Sequence, residues 1–402
     1  MSASSIDRRA LAWKICLSGM LALSVAMGIG RFAFTPLLPL MLHEGSIDLR
    51  MGGWLATANY IGYFIGAMLC AFARSGNPVP LIRAGLIATI VLTLGMAWHG
   101  GDALWLLLRL LSGIASAYVF VYTANWCLQQ LTHLCHPALG GVIFCGPGVG
   151  ITLSGLLTGA MVSASWSAAA GWAVFGLISA LFATLIWRTF DMRLPESENH
   201  AAAASVQHGN AAPVDPGEVR QQIIAYGLAG FGYIITATFL PVIARQALPG
   251  SSWPDFFWPI FGAGVALGAV AATRLPVHGD QRLLLAVSYV MQALGIIVCI
   301  VWPTAPGFAL SCLLLGLPFT AITLFAMREA RRLRQAQASQ LIAVMTAAYG
   351  IGQIAGPPLA TALVHQSGSF TPSLLVAVVA LLAGAALYYR LTQVHRLAPH
   401  TA

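Results

Sequence analysis

The sequence predicts an all-α integral membrane protein of twelve transmembrane helices arranged as two six-helix pseudo-repeats. Three observations predict it. Charged residues make up only 8% of the chain and hydrophobic residues 58%, with a mean hydropathy of +0.80. A soluble domain is about 25% charged, so a chain of 402 residues with so few charges cannot dress a water-facing surface. The apolar residues fall into runs of spanning length, about 20 residues. The glycine and proline pattern of the early runs then recurs in the late ones.

In chain order the first six runs are Trp13–Met41, Gly52–Ala73, Val79–Trp98, Ala103–Cys127, Ala138–Ser163 and Ala168–Trp187. The second six are Ile223–Ala244, Phe256–Ala272, Leu283–Trp302, Phe308–Met327, Leu341–Val364 and Ser373–Tyr389. Domains are therefore expected at residues 1–187 and 221–402, each a six-helix half. Residues 188–220 carry Asp191, Glu196, Glu198, Asp215 and Glu218 with an alanine run, and read as a solvated, largely irregular cytoplasmic linker. The first run continues past the length of a signal-peptide core and reads as a retained span.

Most of the twenty Lys and Arg residues fall on one side if both termini are cytoplasmic. A miscounted helix would scramble that bias, so it supports the even count too. Aligning Gly28-Ile-Gly30 with Gly230-Phe-Gly232 brings Pro39 onto Pro241 and Gly66 onto Gly268. With a further shift, Gly146-Pro147 in the fifth run corresponds to Gly356-Pro357 in the eleventh. Parallel repeats of this kind place a substrate site between the halves near the midplane.

Two arginines stand out. Arg31 lies well inside the first run and Arg109 inside the fourth. A charge at the bilayer centre costs about 2.5–3.5 kcal/mol on insertion scales, so it faces a cavity or a partner. Two readings stay open here: a structural arginine satisfied by helix-end carbonyls or by Asp48 or Glu44 at the rim, and a cavity arginine that binds an anion or tunes a proton site. The twelve Asp and Glu residues lie in termini, loops or helix ends, so no central carboxylate relay is expected. An anionic or zwitterionic small-molecule substrate fits that balance. Asn59, Tyr63, Tyr233 and Gln353 are candidate cavity neighbours, with Tyr60, Tyr226 and Tyr349 nearby in sequence. Gly28, Gly30, Gly146, Pro147, Gly150, Gly356 and Pro357 are candidate packing or gating positions.

Other classes find little support. The basic residues form no basic face, so nucleic acid is not an expected partner. The seven cysteines mostly sit in apolar runs without a CxxC pair, and His133-Leu-Cys-His136 has no second ligand pair, so no metal is expected. No Walker A, HExxH or GxSxG pattern is present, and neither cofactor nor enzyme activity is expected.

The six-plus-six pattern resembles the major facilitator superfamily over nearly the whole chain. Arg109-Leu-Leu-Ser112-Gly113-Ile-Ala115-Ser116-Ala117 is similar to its fourth-helix motif RxxqGxgaa, and Gly146-Pro147-x-x-Gly150 to its fifth-helix "GP" motif. Gly66 to Arg74 keeps only the ends of the pattern GxxxDRxGR, with Cys70 where that pattern has Asp. The strings Gly28-Ile-Gly30-Arg31-Phe32-Ala-Phe-Thr35-Pro36 and Ala58-Asn59-Tyr60-Ile-Gly62-Tyr63 are similar to a YbfB/YjiJ-type branch. The resemblance implies a monomeric, alternating-access secondary transporter of a bacterial inner membrane, with proton coupling linked to Arg109 and a tilt towards efflux. A receptor or sensor built on a transporter scaffold is the alternative.

Overall fold

The computed structural model describes residues 3–72, 77–192, 216–276, 279–334 and 338–397, and the described chain is helical. The first span is segmented: α1 (Ala3–Leu23), a π-helical stretch (Ser24–Arg31) and α2 (Phe34–His43). Then come α3 (Leu49–Phe72), α4 (Pro78–Gly95) and α5 (Asp102–His133). The short α6 (Gly140–Ile143) leads into α7 (Gly146–Ser163) and α8 (Ala168–Ile186). The later helices are α9 (Pro216–Ala247), α10 (Pro254–Arg274), α11 (Gln281–Val301), α12 (Ala305–Leu333), α13 (Ala338–Ser367) and α14 (Thr371–Leu397).

Among the described residues, 11 helical segments are long and apolar enough to cross a membrane. The expected eleventh run forms the unbroken 30-residue α13, which is not one of them. Gly352, Gln353, Gly356, Pro357 and Pro358 dilute its apolar character. The outward faces carry the residues a lipid-facing surface needs. Phe72, Ile87, Val91, Leu177, Leu185, Leu267 and Val379 are all exposed.

The pairing of helices has a pattern. In the early part of the chain, α3 and α4 pack on α5, α4 packs on α8, and the π segment packs on α7. In the late part, α10 and α11 pack on α12, α11 on α14, and α9 on α13. The two sets meet along α3–α13, α7–α10 and α2–α9. Detail follows the pairing. A Cβ on Gly113 would strike the backbone of Asn59 and Tyr63. A Cβ on Gly316 would strike Phe261 and Val265, each 202 positions on, the same separation that divides Thr35 from its partner Ala237. Helix backbones approach this closely only over small residues, which is how apolar helices pack where no water drives them together.

Two expectations need correction. Pro147 does not bend the middle of a helix. The chain breaks at Phe144–Cys145, and Pro147 sits in the first turn of α7, where its missing N–H costs nothing. Gly146-Pro147 and Gly356-Pro357 are also not counterparts in space. Gly146 packs on Met20 and Ser24, whereas Gly356 packs on Ile234. It is Gly150 and Gly352 that share a role: Gly150 packs on Ser24 and Gly28, and Gly352 on Gly227, Gly230 and Phe231. The described ends of the expected linker, residues 188–220, are helical. It opens in a 3-10 turn, Trp187–Asp191, its end from Pro216 is already α9, and residues 193–215 lie outside the described residues.

That first turn of α9 holds an ion network. Arg282 bonds to Glu218, to Glu329 at 2.6 Å and to the carbonyl of Leu391 at 2.9 Å, and Arg332 also reaches Glu329 at 2.8 Å. Glu329, near the end of α12, is fully buried. Removing one partner of a buried pair leaves an uncompensated charge worth about 3–5 kcal/mol. Glu329→Gln is therefore expected to lower the thermal midpoint of the purified protein sharply, and Glu329→Leu with Arg282→Met to recover much of the loss. Equal midpoints for parent and Glu329→Gln would contradict the network's structural role.

Candidate functional site

The site begins with the π segment. Its wider turns and the break at Phe32–Ala33 leave carbonyls without helical donors. The N–H of Thr35 goes to the carbonyl of Phe32 at 3.1 Å, and Pro36 has no N–H to offer Arg31. In an apolar interior an unmet carbonyl is costly. α5 supplies the donors. Arg109 Nη1 donates to the Gly30 carbonyl at 3.1 Å and Nη2 to the Arg31 carbonyl at 2.9 Å. Ser112 donates to Gly30 at 2.9 Å and Ser116 to Ala26 at 2.8 Å. Asn59 of α3 in turn donates to the Arg109 carbonyl at 3.0 Å. Arg109 is buried, lies over the Phe34 ring at 5.0 Å and has no carboxylate partner. This geometry selects the structural reading for Arg109: it is a clamp on backbone carbonyls.

Arg31, held by that clamp, turns its own side chain into the junction between the early and late helices. It is 3% exposed. Its Nη2 donates to Gln353 Oε1 on α13 at 2.9 Å. Gln353 Nε2 donates to the Tyr233 hydroxyl on α9. The guanidinium carbon lies 4.1 Å from the Tyr63 ring centroid, 5.1 Å from Tyr60 and 5.3 Å from Phe32. Aromatic faces at such distances attract a cation, more strongly when water is excluded. Tyr60 carries the junction further, sharing a 2.9 Å hydrogen bond with Thr238.

The rim carboxylates proposed as partners for Arg31 are engaged elsewhere. Glu44 accepts from the Ala168 N–H at 2.8 Å, and Asp48 from Met51 at 2.6 Å. So Arg31 is a buried cation facing an amide and π faces, and its Nε has no hydrogen-bond partner. Beside it runs an aromatic stack. The Tyr226 and Tyr349 centroids are 4.7 Å apart at 29°, and those of Tyr349 and Tyr233 are 5.8 Å apart at 21°. Phe319 of α12 meets Tyr233 edge-on at 5.1 Å.

Of the expected site residues, Arg31, Tyr63, Tyr233 and Gln353 come together in one cluster. Arg109 and Asn59 stand behind it and position it. Gly28 and Gly150 face each other, bringing α7 against the π segment. Gly30 lends its carbonyl to Arg109 and Ser112, and Pro357 lies where α13 crosses Gly53 of α3. Tyr60, Tyr349 and Phe319 complete the cluster. Their sequence signal was no more than an aromatic residue in an apolar run.

The planar fork of Arg109 meets two adjacent carbonyls in a fixed geometry that the compact ammonium of lysine does not reproduce. Arg109→Lys is expected to lower the thermal midpoint, with about 1–3 kcal/mol lost for the carbonyl left unmet. An unchanged midpoint in a scan of the purified protein would show that the clamp carries no weight.

No curated protein matches the sequence. Residues 23–389 match the family described as "Uncharacterised MFS-type transporter YbfB". That span takes in the π segment, both arginines, the stack and Gln353. A multi-pass helical bundle with a polar cluster at the junction of its early and late helices agrees with the match, and the chain belongs to this family of major facilitator transporters.

Proposed function

We propose that the protein is a secondary active transporter of a small anionic or zwitterionic molecule, working by alternating access. Residues 1–187 and 221–402 are its two moving halves, with α13 counted as the twelfth span. The repeated helix pairing and the Thr35–Ala237 contact support this division. The observation that carries the reading is the Arg31–Gln353 bond. A buried cation from one half is held by a neutral amide from the other.

Such a contact is strong enough to close the junction and weak enough to yield. A hydrogen bond to a charged group is worth about 1.5–3 kcal/mol, within reach of a ligand's binding energy. A carboxylate in this place would lock the cation as a buried ion pair. A ligand anion that binds Arg31 competes with Gln353 and releases the halves. Shifting a two-state equilibrium needs only such a differential affinity.

Coupling to protons, the efflux direction, cytoplasmic termini and a bacterial inner-membrane location rest on family analogy and on the distribution of Arg residues. Arg109 is a poor proton carrier in this reading, because both its Nη groups hold carbonyls. The proton-coupling role implied by its motif is not carried forward.

The test is gradient-driven uptake and release in proteoliposomes across a panel of small anions and zwitterions. One of them is expected to show saturable flux that Arg31→Ala reduces by about tenfold or more. Flux that survives Arg31→Ala unchanged, or no gradient-dependent flux for any solute, would overturn the proposal.

A further inference from the structure

One edge of the Arg31 guanidinium is half used. Nε and Nη2 of an arginine lie side by side and present two parallel N–H bonds. In Arg31 the Nη2 of that edge holds Gln353 Oε1, and the adjacent Nε has no partner although it is buried. A side-chain amide has one acceptor oxygen and cannot serve both. A carboxylate has two, spaced for such an edge. A carboxylate that displaced the Gln353 oxygen from Nη2 could take Nε with its second oxygen.

The surroundings define the rest of the ligand. The charge available is a single one, since Arg109 commits both Nη groups to the carbonyls of Gly30 and Arg31. A ligand ammonium would find no counter-charge. Among the described residues, Glu44 and Asp48 accept from the backbone at Ala168 and Met51, Asp191 pairs with Arg83, Asp255 with Arg245, and Asp102 is exposed in the first turn of α5. Glu218 and Glu329 pair with Arg282, and Asp280 caps α11.

What lies beside Arg31 is flat and aromatic. Tyr226, Tyr349 and Tyr233 form a stack, with Phe319 edge-on at its end. Tyr63, Tyr349 and Phe319 are partly exposed, whereas Tyr226 and Tyr233 are buried. Of the rings over the guanidinium, Tyr63 is the partly exposed one, while Phe32 and Tyr60 are buried. Offset or edge-on aromatic contact is favourable beyond the area it buries. Aromatic surroundings with few polar groups favour a ligand that binds through its apolar surface.

We infer that the transported substrate is an aromatic monocarboxylate, its carboxylate taking the Nε–Nη2 edge of Arg31 in place of Gln353 and its ring lying against Tyr349 and Phe319. This rests on the transporter reading above and names its substrate class. It also gives the release step a chemistry. The ligand's second oxygen satisfies the Nε that the amide leaves bare, and Gln353 keeps Tyr233 as it withdraws.

Binding and transport are to be measured separately. The full-length protein in detergent is titrated with benzoate, cyclohexanecarboxylate, acetate, sulfate, benzamide and benzylamine, reading the thermal midpoint. Benzoate is expected to raise it at the lowest concentration, cyclohexanecarboxylate less well, and the other four weakly or not at all. Tyr349→Phe is expected to keep the benzoate response, and Tyr349→Leu to weaken it by about tenfold. Arg31→Gln that elutes as a single species is expected to lose it.

Acetate or sulfate equalling benzoate, benzylamine exceeding it, or a folded Arg31→Gln responding as the parent does would overturn the inference. So would the absence of any benzoate response at millimolar concentration. Benzoate flux in proteoliposomes then separates the two claims. Benzoate bound but never carried sinks the transporter reading, while another solute carried with no benzoate bound sinks the substrate class alone.

Discussion

The carbonyl oxygens of Gly30 and Arg31 need donors, and the structure of the site follows from how that need is met. A bilayer interior offers no water, so every backbone polar group must find a partner within the protein. The π turns, the break after Arg31 and the absent N–H of Pro36 deny these two carbonyls a helical partner. Arg109 reaches across from α5 with two parallel N–H groups and meets both. The backbone at Arg31 is fixed as a result, and its side chain is aimed at α13.

From there the arrangement is a chain of consequences. Gly62 and Gly113 let α3 and α5 touch backbone to backbone, which brings Asn59 within 3.0 Å of the Arg109 carbonyl. Gly28 and Gly150 do the same for the π segment and α7. These contacts make the early helices a firm support. The late helices have their own, with Arg282 tying α9, α11, α12 and α14 through Glu218, Glu329 and the Leu391 carbonyl. Among the described residues the links between the two supports are of another kind: Arg31 to Gln353, Tyr60 to Thr238, Thr35 to Ala237, Thr152 to Pro259 and Cys145 to Ala266. None is an ion pair. Each is a hydrogen bond that a ligand or a change of state can replace, which is what the proposed rocking motion requires.

Much of the fold was legible in the sequence, because spanning helices announce themselves by length and composition. The eleventh run was the ambiguous one for the same reason that it matters. Gln353 and the Gly-Pro pair lower its hydropathy and put polar groups in the junction. Arg31 and Arg109 were legible as intramembrane charges, but not their different duties. Which carbonyls lack donors depends on a π turn, and no composition rule marks one. Glu329 was legible as a helix-end carboxylate, flanked in sequence by Arg328, Arg331, Arg332 and Arg334. Only the packing of α9 and α11 shows it buried. The Gly-Pro pairs misled because the same dipeptide opens α7 and lies inside the unbroken α13. Gly150 packs on the π segment and Gly352 on α9, each against glycine.

The central claim is that a ligand replaces the Arg31–Gln353 bond and frees two rigid halves to rock. The most direct measurement is a pulsed electron-resonance distance between nitroxides introduced at exposed His43, at the end of α2, and exposed Gln246, near the end of α9. In liposomes the account predicts two distance populations whose ratio shifts when a transported anion is added, and a shift already present without ligand in Arg31→Gln. A single distance, unmoved by ligand and by that substitution, would contradict it.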